Sequence, residues 1–333
     1  MAVHLSEKEN FLRTINGETP EYVSCYRMME WMCRPSQLRP LPEGSATSFI
    51  NLFGVEYVCE PTANNAALPK PGEFILDDIR KWRDVIKRPP ILDEIDWEKM
   101  AKKDLDARNP DFPKMGGGGI TSGYFQALMS YMGFTNGLIA CIEEPEEVKE
   151  LLNFLLDINL EVGKKYLEYY KPDAFCGADD IAHERAPFVS EEVFLDLFEP
   201  MWRAEIKPFK EAGLPGQHHN CGYFEPFVQY IVDMGYNSWD PAQHSNDIVG
   251  IKNKYNGKLT VCTGVVSNGF CSYPETTEAE IRTEVRRVLD EFAPGGAYCF
   301  MGNILGPVGD AETAKRNAWI QDEYEKNKFN YYK

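Results

Sequence analysis

The sequence predicts an α/β fold: a closed (β/α)8 TIM barrel with an N-terminal extension and insertions, in a single domain spanning residues 1–333. Three observations predict it. Short apolar runs alternate with long helical patterns beyond Ile120, which implies βαβ units and a parallel sheet. Too many such units alternate for a small open sheet. The chain has 333 residues, which suits one barrel with insertions.

The elements follow in order. Ser6 and Glu9 form an S-x-x-E capping box, so a helix is expected from Glu7 to Ile15, ended by Gly17. Tyr22 to Tyr26 reads as a strand. Residues 35–75 are rich in Pro, Asn and Gly and read as an irregular excursion. Residues 77–88 and 96–107 read as helical, separated by Pro89-Pro90. Gly116 to Gly119 is a glycine run. It lacks both the P-loop Lys-Ser/Thr and the G-x-G-x-x-G spacing, so it reads as a strand end where backbones pass closely. Helical patterns then cover 123–132, 146–170, 191–212, 223–234, 277–292 and 310–326. Between them lie apolar runs at Ala174–Cys176, Gly216–His219, Asn237–Trp239, Leu259–Thr263 and Ala297–Met301.

Composition narrows the function. The formal net charge is −17, which repels nucleic acid and anionic membrane; neither is an expected partner. No apolar run approaches the roughly 20 residues of a membrane helix. Nine cysteines at irregular spacing, with no secretory signal before them, point to a reducing cytoplasm.

The strongest local signal is Gln217-His218-His219-Asn220-Cys221-Gly222. Residues i and i+2 of a strand share a side, so His219 and Cys221 present imidazole and thiolate together. A barrel strand ends at the face where active sites form. Imidazole plus thiolate suits Zn²⁺, against the blander reading of a packed cysteine beside a hydrogen-bonded histidine. A third metal ligand has two candidates on later strands, Cys299 and Cys262, with Cys299 preferred. The second cluster is Asp179-Asp180-Ile181-Ala182-His183. It suits acid–base work by Asp179 or His183 and substrate hydrogen bonding by Asp180, against a capping Asp in a solvated loop. Gln243 follows the next apolar run and is a candidate for the pocket. Tyr26, Trp31 and Tyr124 fall near strand ends or early helices, where they either line an apolar pocket or are simply core.

These residues carry a resemblance. Glu7 to Arg13 with Gly17-Glu18-Thr19-Pro20, Gly123-Tyr124-Phe125-Gln126, Met132-Gly133-Phe134, Glu144 to Val148, Asp179-Asp180, Ser190 to Phe194, Pro200 and His219-Asn220-Cys221-Gly222 occur in that order. The ordered set resembles the uroporphyrinogen decarboxylase superfamily, in particular its cobamide (corrinoid)-dependent methyltransferase branch. The resemblance implies a TIM barrel, zinc on His219 and Cys221 of an H-x-C-G motif plus a later cysteine, and a corrinoid protein as partner. The family's later ligand position falls near Gly302-Asn303, where this chain has neither Cys nor His; Cys299 lies just before it. Gln243 stands where some relatives have an acid. The arginine-rich N-terminal segment that holds a polycarboxylate is replaced by Cys25-Tyr26-Arg27-Met28-Met29-Glu30-Trp31-Met32.

The function implied is methyl transfer from a small methylated donor, foremost a methyl aryl ether, to the cobalt of a corrinoid protein (cob(I)alamin to methylcobalamin). Zn²⁺ would act as Lewis acid on the ether oxygen. The alternatives are a decarboxylase of a cyclic or aromatic acid, and a non-catalytic barrel holding a corrinoid or tetrapyrrole. The family also makes a homodimer an expectation.

Overall fold

The computed structural model describes residues 4–38, 47–63, 66–117, 119–121 and 123–332. Its strands in chain order are β1 (Ser24–Cys25), β2 (Ser48–Ile50), β3 (Glu56–Glu60), β4 (Ala66–Pro69), β5 (Met115–Gly116), β6 (Ala174–Ala178), β7 (Gly216–His219), β8 (Ser238–Asp240), β9 (Thr260–Gly264) and β10 (Tyr298–Met301). Seven of them form one sheet in the order β1-β10-β9-β8-β7-β6-β5, every pair parallel.

The two edges of this sheet meet. Met32, a little beyond β1, makes a parallel bridge to Met115 of β5, and the Cys33 N–H donates to the Met115 carbonyl at 2.7 Å. The first barrel segment is therefore broken into β1 and the Met32 bridge by a helical turn, Met28–Trp31. The fold is the TIM barrel expected, with its eighth strand position supplied by that bridge. The residue 35–75 excursion proves to contain an antiparallel sheet, β2-β3-β4. Turn residues between such short strands hid it from the apolar pattern.

Alternation along the strands separates two cores. Phe175 faces outward and packs under the helices; Ala174 and Cys176 face inward. The interior is filled by Met115, Ala174, Cys176, Cys262 and Cys299, with Tyr26 and Trp31 from the broken first segment. The helix Glu7–Ile15 plugs the floor with Phe11 and Ile15, and its Thr14 carbonyl accepts from the Thr260 hydroxyl at the start of β9. Its capping box is formed as the sequence predicts. The glycine run does mark a close approach. A side chain at Gly117 would lie 2.6 Å from the Cys176 carbonyl oxygen, and one at Gly116 would strike the Tyr166 hydroxyl.

The helix Tyr124–Glu143 is longer than its sequence pattern suggested and breaks at Gly133, whose φ is +75°. Among the described residues no helix is long and apolar enough to cross a membrane.

Candidate metal centre and active site

The C-terminal ends of β6, β7 and β8 lie side by side, with Ala178 opposite His219 and His219 opposite Asp240. Asp179 and Asp180 follow β6 directly, and Cys221 follows β7. The extended chain continues past β7, because the Asn220 N–H donates to the Asp240 carbonyl at 2.8 Å. Asn220 turns away into the wall and Trp239 Nε1 donates to its carbonyl, so His219 and Cys221 do share a side. Gly222 then reverses the chain at φ +86°. A Cβ there would lie 2.7 Å from the His183 carbonyl oxygen, so only glycine fits.

The result is a compact trio. Asp180, His219 and Cys221 each offer one ligand atom, all within 4.8 Å of one another. Cys221 Sγ and Asp180 Oδ1 each lie 3.7 Å from His219 Nε2. Tetrahedral zinc with bonds of about 2.0–2.3 Å needs ligand atoms roughly 3.3–3.8 Å apart. The donor set of imidazole, thiolate and carboxylate fits Zn²⁺ in chemistry, both distances to His219 Nε2 fall in that range, and three protein ligands leave a fourth position for substrate.

Asp240 completes the arrangement from behind. It is fully buried, and its Oδ2 lies 2.7 Å from His219 Nδ1. Its Oδ1 accepts from Gln217 Nε2 at 2.5 Å, and the Ser238 hydroxyl donates to Gln217 Oε1 at 3.1 Å. A carboxylate on Nδ1 fixes the ring and leaves Nε2 to bind a metal. Burial works against a proton on His219, yet the Asp240 carboxylate outweighs it and holds the ring's pKa well above its ordinary value. The Cys221 thiol is pushed up by burial, and His219 opposes that rise. A cation beside these groups would displace both protons.

The other predicted residues are placed as follows. Asp180 is a ligand candidate rather than only a substrate contact: its Oδ2 accepts from Gln126 Nε2 at 3.1 Å and its Oδ1 from the Cys221 N–H at 2.8 Å. Asp179 is buried and accepts from the backbone N–H groups of Tyr124, Phe125 and Gln126, and from Trp202 Nε1, at 2.9–3.0 Å. It caps a helix from outside. Burial raises its pKa to about 6 against those four donors. Gln243 Oε1 accepts from the Gly222 N–H at 2.6 Å and so braces the turn. His183 is exposed on the loop after β6, and its carbonyl accepts from the Tyr223 N–H at 2.8 Å.

Three aromatic residues are not brought to the trio as pocket lining. Tyr26 and Trp31 pack on Phe11 in the barrel floor, and Tyr124 is buried among the outer helices. Cys299 is not brought to the trio either. It lies within β10, 0% exposed, paired in register with Cys262 inside the barrel. The acid of the second cluster, Asp180, stands where a third ligand is needed. Sequence reasoning missed Asp240 and Gln217. The available signal was that Asp240 ends the strand next to β7, where an acid can reach a histidine.

The family model for uroporphyrinogen decarboxylase (URO-D) matches residues 105–302. The chain belongs to the uroporphyrinogen decarboxylase family. That span holds the whole trio, Asp240 and Gln243. Among solved structures, a methyltransferase from Methanosarcina mazei is similar with a TM-score of 0.65 at 14% identity, covering 97% of this chain and 100% of that one. At such identity the likeness speaks for the fold. No curated protein sequence matches the chain. Within this fold, the trio sits at the C-terminal ends of the barrel strands.

Proposed function

We propose that this chain is a zinc-dependent methyltransferase that moves a methyl group from a small methylated donor, a methyl aryl ether in the first place, to the cobalt of a partner corrinoid protein. The observation that carries the reading is the Asp180-His219-Cys221 trio with Asp240 behind the histidine. The solved structure sharing the fold is named as a methyltransferase, which agrees with it.

Zn²⁺ bound there would supply Lewis acidity toward the ether oxygen, whose departure as phenolate otherwise lacks charge stabilisation. The chain's own residues do the positioning. Asp240 holds Nδ1 of His219, which aims Nε2 at the shared centre. Gln126 and the Cys221 N–H fix the two oxygens of Asp180. Gln243 braces Gly222, keeping Cys221 at the mouth. Asp179 secures the start of the helix that carries Gln126. Tyr26 and Trp31 close the barrel below, so a substrate approaches from the open face.

The test is metal analysis of purified protein combined with formation of methylcobalamin from 2-methoxyphenol and cob(I)alamin, read by absorbance. The expected outcome is about one zinc per chain, with both zinc and activity lost in His219→Ala. Full activity without zinc would sink the Lewis-acid reading. Release of CO2 from an aromatic acid by zinc-free protein would favour a decarboxylase instead.

A further inference from the structure

Beside the trio stands a group of rings that the metal site does not use. The loop after β6 folds back on itself: the Phe188 N–H donates to the Ile181 carbonyl at 2.9 Å, the His183 N–H donates to the Ala186 carbonyl at 3.0 Å, and Ala182 bridges Pro187. This small hairpin sits directly on the turn after Cys221, since Gly222 abuts the Ala182 and His183 backbone. Its backbone therefore lies against the turn that follows the metal-centre residue Cys221.

Two of those side chains are rings in contact, His183 and Phe188, with centroids 5.2 Å apart. Phe134, just past the break in helix Tyr124–Glu143, meets Phe188 edge-on at 5.1 Å. The buried Phe125 stacks on Phe188 at 5.5 Å and meets Phe134 at 6.0 Å, anchoring both to the core. Phe134 nonetheless remains 51% exposed, and His183 is exposed too. Phe188 is half-buried among these rings, while Phe134 and His183, held against it, keep open surface; rings held in this way offer π faces at little ordering cost. His183 adds a directed donor. Its Nδ1 accepts from the Arg185 N–H at 3.3 Å, so the neutral ring carries its proton on Nε2.

We propose that Phe134, Phe188 and His183 form an aryl subsite that selects a planar aromatic donor. The arene stacks against Phe134 and Phe188, and His183 Nε2–H donates to an oxygen on that ring. This deepens the methyl-transfer reading and rests on it for the site of the reacting ether. The alternative occupant, the surface of a partner protein, is an outcome of the same test.

The test is direct binding, measured by calorimetry on zinc-loaded protein with no corrinoid present. The paired probes are 2-methoxyphenol and its saturated counterpart, 2-methoxycyclohexanol. The expected result is tighter binding of the arene by about tenfold, the scale of one good ring stack. Phe134→Ala, at an exposed position, removes most of that preference. Ile142→Ala, on the same helix and 68% exposed, leaves the preference intact. His183→Gln retains the ring preference and weakens 2-methoxyphenol relative to anisole. Zinc content reports that each variant keeps its metal centre. Equal affinity for arene and saturated probe overturns the subsite, as does a Phe134→Ala variant that keeps the full preference; either result leaves the exposed rings to a protein partner. Because no corrinoid is present, ring preference is read apart from turnover: a preference that holds while the separate cob(I)alamin assay forms no methylcobalamin would sink the catalytic reading alone.

Discussion

The mouth and the interior of this barrel both hold cysteines, and the surroundings differ. At the mouth, Cys221 is partly exposed and faces an imidazole and a carboxylate. In the interior, Cys262 and Cys299 are fully enclosed by Tyr26, Trp31, Met115 and each other. Burial, followed by the neighbouring Cys299 thiol, pushes the Cys262 thiol well above its ordinary pKa. A thiol in that setting behaves as a small apolar group. The two regions teach that residue type does not make a ligand. Cys221 differs in standing at a strand end, with a hydrogen-bonded histidine beside it and an acid within reach.

The comparison breaks most visibly at Asp240. It touches no open position of the trio, yet it sets the ring of His219. Asp240→Asn keeps the volume and weakens the carboxylate–histidine pair. Zinc affinity is expected to fall by about 10–100-fold, measured by competition with a chromophoric chelator. Unchanged affinity would mean that Asp180 and Cys221 hold the metal without an oriented histidine.

A second contrast sets the mouth's acids against Glu205, a buried acid in the wall. Glu205 lies near Asp179 and the Tyr124 hydroxyl, and burial first, then the Asp179 charge, pushes its pKa up to about 8 from an ordinary 4.5. Between these values the folded chain holds a proton that the unfolded chain has released. Stability from this group is therefore fully present below about 4.5 and lost as pH rises toward 8. The decline approaches at most about 1.4 kcal/mol per pH unit. Glu205→Gln, with no charge to acquire, flattens it. Denaturant titrations at pH 5, 6.5 and 8 check this, and an equally steep decline in the variant would place the titration elsewhere.

Much of this was legible in the sequence, and the limits have physical causes. The run Gly216–His219 is β7 as read, and Tyr298–Met301 falls one residue inside its predicted run. Apolar runs flanked by helical patterns specify such strands well. β5, Met115–Gly116, was legible only as a strand end, because glycines carry no apolar period. The pairing of His219 with Cys221 was legible because alternation tells which side of a strand a residue occupies. Alternation does not tell height along the barrel axis. Cys299 read as a ligand because barrel closure brings later strands round one mouth; it does face inward, but within β10 beside Cys262. Asp180 lies past the end of β6, where no period applies, and only the assembled barrel shows that it reaches His219.

The smallest expected effect tests that difference in height. Cys299→Ala deletes one sulfur from a packed interior, leaving a void smaller than a lost isobutyl group. Its expected cost is about 1 kcal/mol of stability, read as a lower midpoint in denaturant with an unchanged slope. Zinc content and affinity stay as in the parent, because the thiol that leaves is paired with Cys262 and not with the trio. Loss of zinc in this variant at full stability would reverse the assignment, giving Cys299 to the metal and returning Asp180 to the substrate. The slope separates the two outcomes from a general loosening of the barrel, since a looser native state lowers it whatever the metal does.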